Sequence, residues 1–298
     1  MEGTVARPWG VKHSLHILLK SLIDYAGLFP PAGLPMAQAV ANYARYKNES
    51  PYSWILGKFI VPASRLAEFE QAFEPNQSTW HISALVGQNV TDDLARVTDF
   101  NQRHRFAAVI DSLECKASSA EEIVSIRKQL PEGMICYFEI PGGDPLLIDA
   151  IAKARSRAKI RTGGLTEEMF PAAGHVIEFL QTCFAANVPF KATAGLHHPL
   201  RCTKPLTYEK DAPVGAMHGF LNVFLAAAAV LEGLPKSELE MLLLDGDPVN
   251  FQFDEGSIRW RSQRISQAHL LEARALAASF GSCSFEEPMD DLRALNLL

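Results

Sequence analysis

Apolar runs of strand length alternate with amphipathic stretches of helix length along most of this chain, and the connections between them are short. The runs at 22–27, 54–61, 80–86, 106–111, 134–140, 158–162 and 189–194 read as strands. Between them, 36–47, 64–73, 92–103, 120–129, 145–154 and 174–186 repeat apolar residues every three or four positions, as a helix packing one face does. Alternation of this kind predicts parallel β-α units. Seven such strands without a Pro-, Gly- or Ser-rich linker suit a closed (β/α)8 barrel, an α/β fold forming one domain over 1–298, better than an open sheet.

The eighth strand is harder to place. Segments 250–253 and 257–261 flank Asp254-Glu255-Gly256 and read as a β-hairpin. Segment 280–285 follows a good helix at 267–278, so strand eight is assigned there. Residues 196–266 then form a long insertion after strand seven, carrying a helix at 217–231, a second near 237–244 and the hairpin.

Composition narrows the partners. With 298 residues, 48% of them hydrophobic, the chain can bury a large core. Its net charge of −6 and its lack of a Lys/Arg-rich block argue against nucleic acid. The longest apolar run, 220–231, is too short to span a bilayer and contains Asn222, and no charged-then-apolar leader opens the sequence. A cytoplasmic protein with a small-molecule partner is expected, and a homo-oligomer stays open. The cysteines Cys115, Cys136, Cys183, Cys202 and Cys283 are odd in number and scattered, with no C-x-x-C, so neither a disulfide framework nor a structural zinc site is indicated. Cys202 and Cys283 fall near turns close to the candidate site.

The chemistry concentrates in two matched stretches. Ala158-Lys159-Ile160-Arg161-Thr162-Gly163-Gly164-Leu165 is echoed by Phe190-Lys191-Ala192-Thr193-Ala194-Gly195-Leu196, each a short strand ending in a glycine turn. A buried ammonium costs several kcal/mol unless it is paired or loses its proton. Two such lysines on consecutive strands therefore read either as salt-bridged structural residues or as chemistry. Alternation puts Lys159 with Arg161, and Lys191 with Thr193, on one face each. If those faces point inward, the two ammonium groups depress each other and burial acts with them, leaving a free amine. Such an amine forms a Schiff base with a carbonyl compound, and the iminium is an electron sink for carbon–carbon bond chemistry that needs no cofactor.

This pattern resembles the deoxyribose-phosphate aldolase family of class I aldolases. A Val-Lys-Thr-Ser-Thr-Gly strand six carries that family's Schiff-base lysine and a Lys-Ala-Gly-Gly strand seven its partner, the places of Lys159 and Lys191. Leu22-Ile23-Asp24-Tyr25-Ala26-Gly27-Leu28-Phe29-Pro30 is similar to the family's Leu-Ile-Asp-His-Thr-Leu-Leu-Lys-Pro opening. Phe280-Gly281-Ser282-Cys283-Ser284 echoes its strand eight, and Ala107-Ala108-Val109-Ile110-Asp111 aligns with its Asp-Met-Val-Ile-Asn. The resemblance implies a lyase or aldolase with Lys159 as nucleophile and Lys191 beside it. The family's strand-four acid falls on Ala107, which passes the proton-carrier role to Asp111 or to Glu139. Asp24, Arg161, Thr193, His197, His198, Arg201, Ser282 and Ser284 form the expected substrate-binding set, with Arg161 and Arg201 for a carboxylate. Glu286-Glu287 stand where the family binds substrate phosphate, so a non-phosphorylated carbonyl or carboxylate compound is expected.

Two rival readings remain. His197 or His198, with Asp24, Asp111, Glu114 or Glu139, has the donor types for a divalent cation in a metal-dependent hydrolase or lyase, although adjacent histidines on an extended chain point apart. His218 has the same ambiguity. A barrel without activity, serving binding or assembly through the insertion, is the other. Gly142-Gly143-Asp144 lacks the Lys and Ser/Thr of a phosphate loop and reads as the start of the next helix.

Overall fold

The computed structural model describes residues 10–75 and 78–298; the reading of the chain's first residues as leader-free falls outside them. Seven strands follow in order: β1 (Ile23–Tyr25), β2 (Leu56–Pro62), β3 (Trp80–Leu85), β4 (Ala108–Lys116), β5 (Ile135–Glu139), β6 (Arg157–Arg161) and β7 (Phe190–Thr193). Five short strands come next: β8 (Cys202–Pro205), β9 (Val214–Met217), β10 (Phe251–Phe253), β11 (Ser257–Trp260) and β12 (Gln263–Ser266). The last is β13 (Ala277–Ser282). Strands β1–β7 and β13 close on themselves in the order β1-β13-β7-β6-β5-β4-β3-β2, every neighbouring pair parallel. This is a (β/α)8, or TIM, barrel.

Helix α1 (His13–Leu19) precedes the barrel. The ring of helices runs through α2 (Met36–Asn48), α3 (Leu66–Ala72), α4 (Val90–Arg103), α5 (Ala120–Gln129), α6 (Pro145–Lys153), α7 (Ala173–Ala185) and α8 (Phe220–Leu231). Then come α9 (Lys236–Leu244), α10 (Gln267–Leu276) and, after β13, α11 (Glu286–Ala294). Local signals set several starts. Asn89, Ser119, Asp144 and Ser266 each accept a backbone N–H of the helix they precede, satisfying donors that the first turn leaves open. Asp144 followed by Pro145 makes the Gly142-Gly143-Asp144 turn the start of α6, as its sequence suggested.

Outward-facing strand residues and the inner helix faces form the core. Phe59 and Trp80 pack among Tyr43, Phe69 and Phe73, with Tyr43 and Trp80 ring centroids 4.5 Å apart.

The structure revises the sequence reading of 196–266 as one insertion. Helix α8 is the barrel's own seventh helix: Phe220 and Phe224 pack on Phe280 of β13, and α7, α9 and α10 cover its other faces. That cover explains a helix apolar all round. Its one polar residue, Asn222, donates to the Leu242 and Asp245 carbonyls and accepts from the Arg201 N–H. The inserted parts are the β8–β9 hairpin before α8, and α9 with the antiparallel β10-β11-β12 sheet after it. Strand eight also begins earlier than 280, because the helix before it ends at Leu276. Strand four runs to Lys116 rather than stopping at Asp111.

Candidate active site

Side chains alternate along a strand, so each barrel strand sends every second residue inward. Here the inward set is charged. Asp24 comes from β1, Glu114 from β4, Glu139 from β5, Lys159 and Arg161 from β6, and Lys191 from β7, with Lys159 level with Lys191 and with Glu139 in the ladder. These groups form one alternating chain across the barrel. Lys191 Nζ lies 2.6 Å from Asp24 and 2.7 Å from Glu114, and Lys159 Nζ lies 2.7 Å from Glu114 and 2.8 Å from Glu139. Arg161 Nε reaches Glu139 at 3.5 Å. Ser279 and the Lys58 N–H donate to Asp24, and Ser83 donates to Glu114. Asp24, Glu114, Lys159 and Lys191 are buried, Glu139 is partly so and Arg161 is exposed, and the charges balance, three carboxylates against three cations.

The lysines are therefore not a repelling pair. Glu114 lies between them, and for Lys191 this corrects the expectation of a depressed ammonium group. Burial favours neutral Lys191, yet Asp24 and Glu114 outweigh it and hold that ammonium above the usual lysine range. Burial likewise favours protonated Glu114, but Lys159 and Lys191 hold it far below the ordinary carboxylate range. Glu139 is held low against burial by Lys159, then Arg161 and Lys116.

Above this chain, at the carboxyl ends of the strands, lies a cavity of about 420 Å³. Glu114, Glu139, Lys159, Arg161, Lys116 and Thr193 supply its polar wall. Phe29, Ile60, Leu85, Leu165 and Met169 make the rest largely apolar. Lys191 does not line it. Fully buried, it lies beneath, its ammonium 5.4 Å from the Tyr137 ring centroid. Of the two matched lysines, Lys159 is thus the one that a ligand meets.

The two glycine turns touch. A Cβ on Gly163 would stand 2.7 Å from Gly195 Cα, and one on Gly195, whose φ is +74°, 2.8 Å from Gly163 Cα. Both would also strike Phe170. This contact brings the ends of β6 and β7 together at the cavity edge. Gly195→Ala is expected to cost about 1–3 kcal/mol, from the clash and the left-handed backbone together. A urea titration checks it; an unchanged midpoint would show that the turns yield freely.

The other expected site residues divide. Thr193 and His197 line the cavity. Asp24 lies in the buried chain. Asp111 does not join them: β4 carries a register irregularity opposite Ile82 and Ser83, and Asp111 falls in it. Its carboxylate meets Lys58 at 2.5 Å and His81 at 2.7 Å, nearer the amino ends of the strands than the cavity-lining Ile60 and Leu85. Burial would raise this carboxyl, but His81 and Lys58 bring it below its ordinary value. Asp111→Asn is therefore expected to cost about 0.5–1 kcal/mol, as partly exposed pairs do, and to leave chemistry at Lys159 intact. Loss of a Lys159 adduct in that variant would restore Asp111 to the site.

Ser282 and Ser284 also miss the cavity. Ser282 Oγ donates to the Ser284 carbonyl, and Ser284 Oγ accepts the Glu287 N–H. The inward residues at this end of β13 are Gly281 and Cys283, one position out of phase. His198 is bound to Asp291 at 2.5 Å, and Arg201 lies by His218, whose Nε2 contacts the Pro171 carbonyl. Among the described residues no group of three or more His, Cys, Asp or Glu is placed to hold a metal. Of Glu286 and Glu287, the first pairs with Arg45 at the surface and only the second turns toward His197.

Sequence reasoning missed the central role of Glu114, treating it only as a possible metal donor. The signal was the polar alternation Ser112, Glu114, Lys116 directly after the apolar run, in the opposite phase to Asp111.

No protein-family model matches the chain, and no curated protein sequence matches it. Among solved structures, a FabK mutant from Thermotoga maritima is similar, with 15% identity and a TM-score of 0.37. The match covers 63% of this chain and 59% of that one, so it spans less than two thirds of the FabK chain.

Proposed function

We propose that this barrel is a Schiff-base-forming lyase or aldolase that acts on a small carbonyl compound, with Lys159 as nucleophile. The observation that carries the reading is the placement of Lys159 between two carboxylates on the wall of a largely apolar cavity.

In this mechanism a carbonyl group enters beside Lys159, and Glu139, the more open of its two partners, takes the ammonium proton. The amine adds to the carbonyl carbon, and Glu139 returns the proton to the departing hydroxyl as water leaves and the iminium forms. The iminium then accepts the electron pair of the breaking carbon–carbon bond, or stabilises the carbanion equivalent that makes one. Water restores Lys159 and releases product. Glu114 keeps a negative charge beside the iminium, which electrostatically favours that cation over the neutral amine. Arg161 and Lys116 face the cavity as partners for a substrate carboxylate, and the apolar wall suits a short carbon chain.

A panel of aldehydes and 2-oxo acids, each incubated with protein and borohydride, tests this. One reduced adduct per chain by intact mass is the expected result. A binding barrel without covalent chemistry has one observation in its favour, the complete ion pairing of both lysines. It predicts ligand-dependent thermal stabilisation with no adduct from any member of the panel.

A further inference from the structure

Cys283 follows β13 on its inward face and lines the cavity together with His197. Its Sγ lies 3.9 Å from His197 Nδ1 and 3.8 Å from the Tyr208 hydroxyl. At the same ring nitrogen, Glu287 of α11 approaches at 3.4 Å while accepting from Tyr208 at 3.2 Å. His198 stands next, ring centroids 6.4 Å apart, but is engaged by Asp291. A thiol and a carboxylate from the β13–α11 junction and an imidazole from the turn after β7 thus converge at one edge of the cavity. The Schiff-base reading uses none of them.

We propose that Cys283 is a reactive thiol built into the cavity wall, with His197 as its proton partner, and that small uncharged electrophiles entering the cavity modify it and block access to Lys159. The other cysteines lack this setting. Cys115 and Cys136 are buried against each other at 3.8 Å. Cys183 is fully buried, and burial pushes its thiol up. Cys202 is half-buried and pushed up to about 11, chiefly by burial. At Cys283, by contrast, burial works against a charge on His197, but Cys283 and Glu287 lift that histidine to about 10. With iodoacetamide the S–C bond forms as the C–I bond breaks, iodide leaves with the bonding pair, and the thiol proton passes by way of His197 to water.

Only 5% of Cys283 is exposed, so the route to it is the cavity and reagent size matters. The native protein is treated briefly with iodoacetamide, and the five cysteines are compared by peptide mapping. Cys283 is expected to label at least ~10-fold faster than Cys202 or the buried three, and His197→Gln to slow it by about as much. A polyethylene-glycol maleimide should leave Cys283 of the native protein unlabelled. Cys202 reacting as fast as Cys283, an unchanged rate in a folded His197→Gln protein, or equal labelling by the bulky reagent would each overturn the proposal. The ranking on the wild-type protein needs no variant and does not depend on Lys159. Loss of borohydride trapping after Cys283 alkylation is the one readout that rests on the Schiff-base reading.

Discussion

Lys159→Met is expected to abolish borohydride-trapped adducts and any carbon–carbon bond chemistry, while the barrel stays folded. Lys159 and Lys116, at the end of β4, both line the cavity while Lys191 lies beneath it, and of the two lining amines Lys159 is the one paired with Glu114 and Glu139. Removing it leaves Glu114 paired with Lys191 and Glu139 near Arg161, so neither carboxylate is stranded. Stability is therefore expected to fall by only about 1.5–3 kcal/mol, the scale of a lost charge-assisted hydrogen bond. Adduct mass and a urea titration on the same variant separate the two effects. Persistence of the adduct in Lys159→Met would assign the nucleophile elsewhere.

Glu114→Leu carries the largest expected loss of stability. Its carboxylate is the shared partner of both lysines, and without it two buried ammonium groups stand side by side on adjacent strands, each left with a single carboxylate. Breaking a buried ionic network from one side costs about 3–5 kcal/mol, because the remaining charges lose compensation. The same residue sets a pH dependence. Folded Glu114 binds its proton only far below its ordinary value of 4.5, against the pull of burial, so its contribution is present above that value and is lost as acid is added. Lys191, raised above its ordinary 10.5, contributes fully below that pH and loses its share as the pH climbs through the folded value. The wild-type protein is expected to unfold in acid with a steeper pH slope than Glu114→Leu. Denaturation midpoints across the acid range measure it, and equal slopes would show that Glu114 is not the group responsible.

The barrel was legible because its strands and helices keep distinct apolar periods, and the matched Lys159 and Lys191 stretches fell at adjacent, in-register strands as their spacing suggested. Other features were hidden for physical reasons. A barrel whose interior is charged inverts the usual sign of inward positions, so Ser112, Glu114 and Lys116 read as the end of a strand although they are its continuation. The irregularity at Asp111 shifts phase within β4, which no alternation rule anticipates. Near β13, Leu276, Ala277 and Ala278 suit helix and strand alike, which hid where the strand starts; the resemblance to the aldolase strand eight points to Ser282 and Ser284, whereas Gly281 and Cys283 line the cavity. The apolar helix α8 looked like part of an insertion because the hairpin ahead of it separates it from β7. Ion pairing between strands far apart in sequence, such as Asp24 with Lys191, depends on barrel closure and leaves no local trace.

The central claim is that Lys159, and not its buried neighbour, reacts with a carbonyl substrate. Peptide mapping of the wild-type protein after borohydride reduction with the best-trapped member of the carbonyl panel tests it most directly. The account predicts a reduced adduct confined to the peptide containing Lys159, with Lys191 unmodified. An adduct on Lys191, or ligand binding at the cavity with Lys159 left unmodified, would contradict it.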